Sequence, residues 1–169
     1  SSSKPVAGVL AQNIKDIKNA NPDRTLILSA GDLYQGTPVS NILKGVPVQK
    51  VMSSVGVEVT ALGNHEFDWG LNTITDTTMK DAKYSIICAN LYDKATGKRV
   101  FEPYKIIDKD GVKIAVIGAI TAETPSIVLP KYVENYEFKD AASEINGLVK
   151  EVKDKGANVV LALMHAGDK

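Results

Sequence analysis

The sequence predicts an α/β fold with a mostly parallel sheet and one antiparallel hairpin. Three observations carry this. Apolar, β-prone runs alternate with stretches of helical periodicity. Asp108-Lys109-Asp110-Gly111 stands between two apolar runs, a strong hairpin signal that makes the sheet system mixed. The chain has 169 residues, of which 44% are hydrophobic, enough for one domain with a real core.

Each element follows from its residues. Over 5–20, Val6, Val9, Leu10, Ile14 and Ile17 recur at three- and four-residue steps, so this segment reads as an amphipathic helix. Pro5 suits its first turn, and Asn21-Pro22-Asp23 stops it. Thr25 to Ala30 reads as a buried strand ending in Gly31-Asp32. Pro38 to Ser54 is helical, divided in two at Gly45-Val46-Pro47. A second strand runs from Val57 to Leu62, a polar helix covers 71–82, and a third strand runs from Tyr84 to Ala89. The hairpin pairs Tyr104–Ile107 with Val112–Gly118. Residues 138–155 form a further amphipathic helix, with Phe138, Ala141, Ile145, Leu148, Val149 and Val152 on one side. Asn158 to Met164 is a last apolar strand that delivers His165. Ser1-Ser2-Ser3 reads as a loop or a tag scar.

Composition excludes several function classes. Twenty Lys and Arg balance twenty Asp and Glu. Nucleic-acid polymers and anionic membranes favour a basic excess, so neither is expected as the main partner. Cys88 is the single cysteine, which rules out an internal disulfide and an all-cysteine zinc site. No apolar run approaches the roughly 20 residues of a membrane-spanning helix.

Three strand ends carry polar residues that a core does not need. They are Gly31-Asp32-Leu33-Tyr34-Gln35-Gly36, Gly63-Asn64-His65-Glu66-Phe67-Asp68-Trp69-Gly70 and Met164-His165-Ala166-Gly167. Ligands of open α/β sheets bind at the carboxyl ends of strands. Asp32, Asn64, His65 and His165 are therefore expected to converge. Asp offers two anionic oxygens, Asn a neutral carbonyl and neutral His one ring nitrogen. Such a set without thiolate suits Mn, Zn, Fe or Co. Two such ions about 3.5–4 Å apart can clamp a phosphate and activate water. A carboxylate three residues after His65, at Asp68, can fix the imidazole tautomer and favour its protonated form. Taken singly, each feature is ordinary punctuation: Gly-Asp is a common turn, and a lone His is more often structural. Glu66 reads as a supporting or helix-start residue rather than a ligand, and Phe67 and Trp69 as packing. Asn90 either faces the site or caps a turn, and Thr121 and Glu123 lie in a loop at the same end. Only the combination, each block behind an apolar strand, is specific.

That combination resembles the calcineurin-like metallophosphoesterases. Gly31-Asp32-(x3)-Gly36 and Gly63-Asn64-His65-Glu66 look like two of their blocks. The fuller wording through Thr37-Pro38 and Phe67-Asp68-Trp69-Gly70 is similar to the 5'-nucleotidase / 2',3'-cyclic-nucleotide phosphodiesterase branch. Ala89-Asn90-Leu91 and Gly118 to Pro125 read likewise. The resemblance implies a four-layer α/β/β/α sandwich with mixed sheets, of which this sequence holds a part. It implies Asp32 as a carboxylate bridging two divalent metal ions. Asn64 would be a ligand that also touches the phosphate, and His165 a further ligand. His65 paired with Asp68 would be catalytic, and Asn90 would join Asn64 in binding substrate. The family's Asp-x-His and Gly-His-x-His blocks have no counterpart in residues 1–169, nor does its nucleotide-binding second domain. The expectation is a nucleotide phosphoesterase in the parent protein and little turnover by this chain alone. By the same resemblance, the parent works outside the cytoplasm on a small-molecule nucleotide. A sugar-diphosphate hydrolase, an exonuclease-like enzyme or a catalytically dead binding module on the same fold are the competing readings.

Overall fold

A computed structural model describes residues 6–166. Pro5, Ser1-Ser2-Ser3 and Gly167, read above as a helix start, a loop and a site glycine, lie outside the described residues.

Helix α1 spans Val6–Ala20. Strands β1 (Leu28–Ser29), β2 (Val59–Ala61) and β3 (Ser85–Ile87) form a parallel sheet in the order β1-β2-β3. Helices α2 (Pro38–Ile42) and α3 (Val46–Val55) lie between β1 and β2, divided at Gly45 as predicted. Gly45 has φ 75° and its backbone packs against Tyr34, where a Cβ would collide with the ring. After β2 comes a single turn, α4 (Leu71–Thr73). Next is strand β4 (Leu91–Asp93). The predicted hairpin is β5 (Tyr104–Lys109) and β6 (Val112–Ile120), antiparallel. A short helix, α5, spans Thr124–Ile127. Strand β7 (Tyr136–Phe138) pairs antiparallel with β4 as a separate two-stranded sheet. Helix α6 (Ala141–Asp154) leads into β8 (Val159–His165), which runs parallel to β6 from Ile114↔Val159 to Ile120↔His165.

The mixed character therefore resides in one sheet, β5-β6-β8, while β1-β2-β3 is purely parallel. The two sheets meet through Val59, Ile87 and Val116, with Leu28, Ile114 and Leu163 packed against them. Gly118 permits the contact: a Cβ there would lie 2.6 Å from the Ile87 carbonyl oxygen. Ala89 N–H donates to Gly118 O at 2.7 Å, so a backbone bond from the β3 end to β6 stitches the junction. Leu148 and Val152 of α6 cover Ala115 and Ile117 of β6. Each such fully buried aliphatic side chain contributes about 1.5–3 kcal/mol.

Three expectations are corrected, and one strand pair is new. On α1 the packed line is Ala11 and Ile14, with half-buried Lys18 following, while Val9, Leu10 and Ile17 are exposed. Lys18 sets this rotation by donating to Gly56 O at 2.6 Å and pairing with Glu58 at 3.5 Å. Phe138 belongs to β7, and α6 begins after Asp140, whose carboxylate accepts Ser143 N–H at 2.8 Å. Segment 71–82 is not one α-helix: beyond α4 the chain widens into a π turn over Ile74–Thr78, with Met79 N–H reaching Ile74 O. The β4–β7 pair was not anticipated.

Candidate functional site

The ends of β1, β2 and β8 lie together. Strand β1 runs out into Ala30-Gly31-Asp32, β2 into Gly63-Asn64-His65, and β8 ends on His165. Asp32 adopts φ 56°, a left-handed backbone that costs a non-glycine residue about 1 kcal/mol or more. Gly31 before it has φ 94°, and a Cβ there would meet the Gly63 amide nitrogen at 2.7 Å. The two loops thus run with their backbones almost touching.

Within this crossing the side chains meet. Asp32 Oδ1 accepts His65 N–H at 2.8 Å. Asp32 Oδ2 lies 3.1 Å from His165 Nε2, and Asn64 Oδ1 lies 2.6 Å from the same nitrogen. His165 Nδ1 is 2.9 Å from Ala30 O. A carbonyl only accepts, so Nδ1 carries the hydrogen and a neutral ring turns its Nε2 lone pair inward. Three acceptors then face one another: a carboxylate oxygen, an amide oxygen and a ring nitrogen. A divalent cation reconciles such a set, and the donors fit Mn, Zn, Fe or Co. Among the described residues, no group of three His, Cys, Asp or Glu side chains is clustered for a metal. The convergent set reaches three donors only by counting the Asn64 amide.

His65 stands beside this group. Its Nδ1 lies 2.8 Å from Asp68 Oδ2, and its side chain is 45% exposed. The hydrogen bond to Asp68 raises its pKa above the usual imidazole value, partial burial opposes this, and the charge of Asp32 adds to the rise. Glu66 is buried beneath the crossing. It accepts Leu33 N–H at 2.9 Å on Oε1, and Asp32 N–H at 3.1 Å together with Gly63 N–H on Oε2. Burial lifts its carboxyl to about 7, although these donors pull the other way.

Asn90, expected to bind substrate, is instead seen bonded to the backbone. It is 0% exposed. Its Nδ2 donates to Ile120 O at 2.7 Å and Lys139 O at 2.9 Å, and its Oδ1 accepts Ile120 N–H at 3.0 Å. The amide has nothing left to offer a ligand. Phe67 and Trp69 pack as expected, Phe67 edge-on to Tyr136 with centroids 6.2 Å apart. Thr121 joins the strand ends by its backbone, donating to His165 O at 2.9 Å. The Ala30 carbonyl is the partner that residue types could not reveal, because it is backbone.

Comparison with known proteins bears on this geometry. A sequence profile described as calcineurin-like phosphoesterase matches residues 8–169. The chain is 43% identical over 143 residues to a 5'-nucleotidase of Vibrio cholerae, covering 84% of this chain and 26% of that protein. It is 34% identical over 160 residues to the endonuclease YhcR of Bacillus subtilis, covering 88% of this chain and 13% of that one. A crystal structure of a 5'-nucleotidase precursor from Thermus thermophilus superposes with a TM-score of 0.78 at 31% identity, covering 91% of this chain and 30% of that one. The chain spans about a quarter of the length of the nucleotidases it matches.

Proposed function

The chain belongs to the calcineurin-like phosphoesterase family, and on that premise we propose that its parent hydrolyses phosphate esters of nucleotides with the aid of two divalent metal ions. The observation that carries this reading is the convergence of Asp32 Oδ2, Asn64 Oδ1 and His165 Nε2 beside the His65–Asp68 pair. Asp32, Asn64 and His165 would hold the ions, and Asn64 would also meet the phosphate. Divalent ions in such a site supply an activated water and positive charge for the phosphate.

The remaining steps belong to side chains. Asp68 holds His65 by Nδ1 and favours the imidazolium. His65 then stabilises charge on the phosphate or gives its proton to the leaving oxygen. The neutral Asn64 completes a ligand set without cancelling the charge that draws the phosphate in. Ala30 O fixes the His165 tautomer, so Nε2 stays available.

The family's Asp-x-His and Gly-His-x-His blocks would complete the ligand set in the parent, and a second domain would recognise the base. Residues 1–169 form one part of a four-layer α/β/β/α domain in this reading, and alone they turn over little. The similarity to a 5'-nucleotidase precursor supports a place outside the cytoplasm. Among the described residues no helix is long and apolar enough to cross a membrane. The likeness to YhcR favours a polynucleotide substrate as a second reading, against which the zero net charge weighs.

The test is phosphate release from AMP, 2',3'-cyclic AMP, a nucleotide sugar and single-stranded DNA by the parent, with Mn²⁺ and with chelator. Hydrolysis of the first two, abolished by chelation, supports the proposal. Cleavage of DNA alone favours the second reading. No hydrolysis with Mn²⁺ under any condition means a binding module.

A further inference from the structure

The two loops that carry Asp32 and His65 come from different strands, and beside the bond from His65 N–H to Asp32 Oδ1 it is the Glu66 side chain that ties their backbones together. Three backbone N–H groups converge on this one carboxylate. Gly63 N–H comes from the β2 loop, and Asp32 N–H and Leu33 N–H come from the β1 loop, 34 and 33 residues away from Glu66 in sequence. Both loops need glycine at the crossing. A Cβ on Gly31 would strike the Gly63 backbone, and one on Gly63 would strike Asp32 and the Glu66 carboxylate itself. Glu66 is 3% exposed, so its carboxylate has no water to turn to and depends on these donors.

We propose that Glu66 is a positioning residue: its carboxylate locks the β1 and β2 loops together and thereby aims the Asp32 carboxylate at His165 and at the His65 amide. The proposal deepens the metal-site reading above and rests on it for its consequence, not for its geometry. Asp32 sits at φ 56° with its own N–H on Glu66 Oε2 and the next N–H on Oε1. A strained residue keeps such a conformation only when its surroundings over-determine it. Here the two oxygens of one buried carboxyl group take both flanking donors. The side chain of Asp32 is then free to divide its oxygens, Oδ1 to His65 N–H and Oδ2 to His165. Glu66 makes no hydrogen bond to a group that would meet a phosphate; it acts on them through the backbone of Asp32, Leu33 and Gly63, and its charge adds to the rise in the His65 pKa.

Glu66→Gln separates charge and acceptor count from volume. Glutamine has one oxygen where three donors need two, so at least one N–H faces an NH₂. The primary readout uses the metal-free chain: amide hydrogen exchange at His65, whose N–H donates to Asp32 and not to Glu66, compared with Ile117 in the other sheet. The expected result is exchange at His65, Asp32, Leu33 and Gly63 quickened about tenfold or more, with Ile117 changed by less than about threefold. Mn²⁺ affinity of the parent should fall about 10- to 100-fold, as loss of partners behind a ligand does elsewhere. Should Glu66→Gln fail to fold, Glu66→Asp keeps both oxygens on a shorter stem and should quicken His65 exchange about threefold. Unchanged exchange at His65, or equal quickening at His65 and Ile117, overturns the proposal. A wild-type parent that binds no Mn²⁺ while Glu66→Gln still frees the His65 amide sinks the metal reading and leaves the clamp standing.

Discussion

Asn64 and Asn90 follow neighbouring parallel strands, β2 and β3, at the same end of one sheet. Both are buried. Their amides nevertheless do opposite work. Asn64 turns its oxygen to His165 Nε2 at 2.6 Å, toward the convergent donors. Asn90 spends both ends of its amide on the backbone of Ile120 and Lys139. The difference lies in what each strand end leaves open. Beyond β3 the chain must join the second sheet, where β6 ends at Ile120, and buried N–H and C=O groups there require a partner. Beyond β2 the crossing loops satisfy one another through Glu66, and the Asn64 side chain is left to face His165. A polar residue at a strand end is thus free to face a ligand only when the local backbone does not already claim it.

The largest expected effect falls on the site side of this comparison. Asp32→Asn in the parent removes the charge shared between His65 N–H and His165 and should cut phosphate release by more than about 100-fold, beyond what an outer partner costs. Asn64→Ala should lose activity similarly, with the melting temperature changed by only a few degrees. Steady-state assays with saturating Mn²⁺, beside thermal melts, check both. Near-normal turnover by Asp32→Asn would mean the convergent donors are not the reacting centre.

Asn90→Ala should invert that pattern. It strips partners from Ile120 N–H, Ile120 O and Lys139 O, each buried group costing about 1–3 kcal/mol when left unpaired. A loss of about 3 kcal/mol or more, or roughly 6–12 °C in melting temperature, is expected. Below the melt, turnover per folded parent molecule should change little. A stable Asn90→Ala protein with a raised KM would return Asn90 to the substrate site.

Much of this was legible from residue types, and the remainder has a common cause. The convergence of Asp32, Asn64 and His165, with His65 beside them, is legible because each is a polar group directly behind an apolar strand. The hairpin was found from Asp110-Gly111, and the paired helices α2 and α3 from Gly45 and Pro47. By contrast, β4 and β7 are three-residue strands, too short for alternation to register. The rotation of α1 is set by Lys18 reaching Gly56 O, a partner 38 residues away. The backbone bonds of Asn90 are hidden from the sequence for a related reason: its partners lie 30 and 49 residues away. Wherever a side chain answers a distant backbone group, residue type and spacing carry no trace of it.

A smaller effect separates the two histidines of the site. His65 is half exposed and paired with Asp68, whereas His165 is held by Ala30 O. Asp68→Asn should bring the His65 pKa down toward 6.5, read by imidazole NMR across pH, and should lower parent activity about 10- to 100-fold. The sign follows from the raised folded pKa. The pair's contribution to stability is complete below pH 6.5 and fades as pH rises through the higher folded value. With His65 this exposed, that contribution is small. An unchanged His65 titration in the variant would remove Asp68 from the pair.

The smallest test returns to Asn90 through Cys88, whose Sγ lies 3.5 Å from Asn90 Oδ1. Burial pushes this thiol up to about 12, against the pull of neighbouring backbone N–H groups. Only the thiolate reacts readily, so iodoacetamide at pH 8 should modify Cys88 at the rate at which the junction opens. Cys88→Ala should cost about 1 kcal/mol, since it removes one sulfur and a weak S–H bond from a packed core. Asn90→Ala should raise the labelling rate of Cys88 at least tenfold, and Asn64→Ala should leave it within about twofold. That pairing reads the two amides with one thiol. Equal labelling in both variants would show that the β3 end opens independently of Asn90, and the contrast between the two strand ends would fail there.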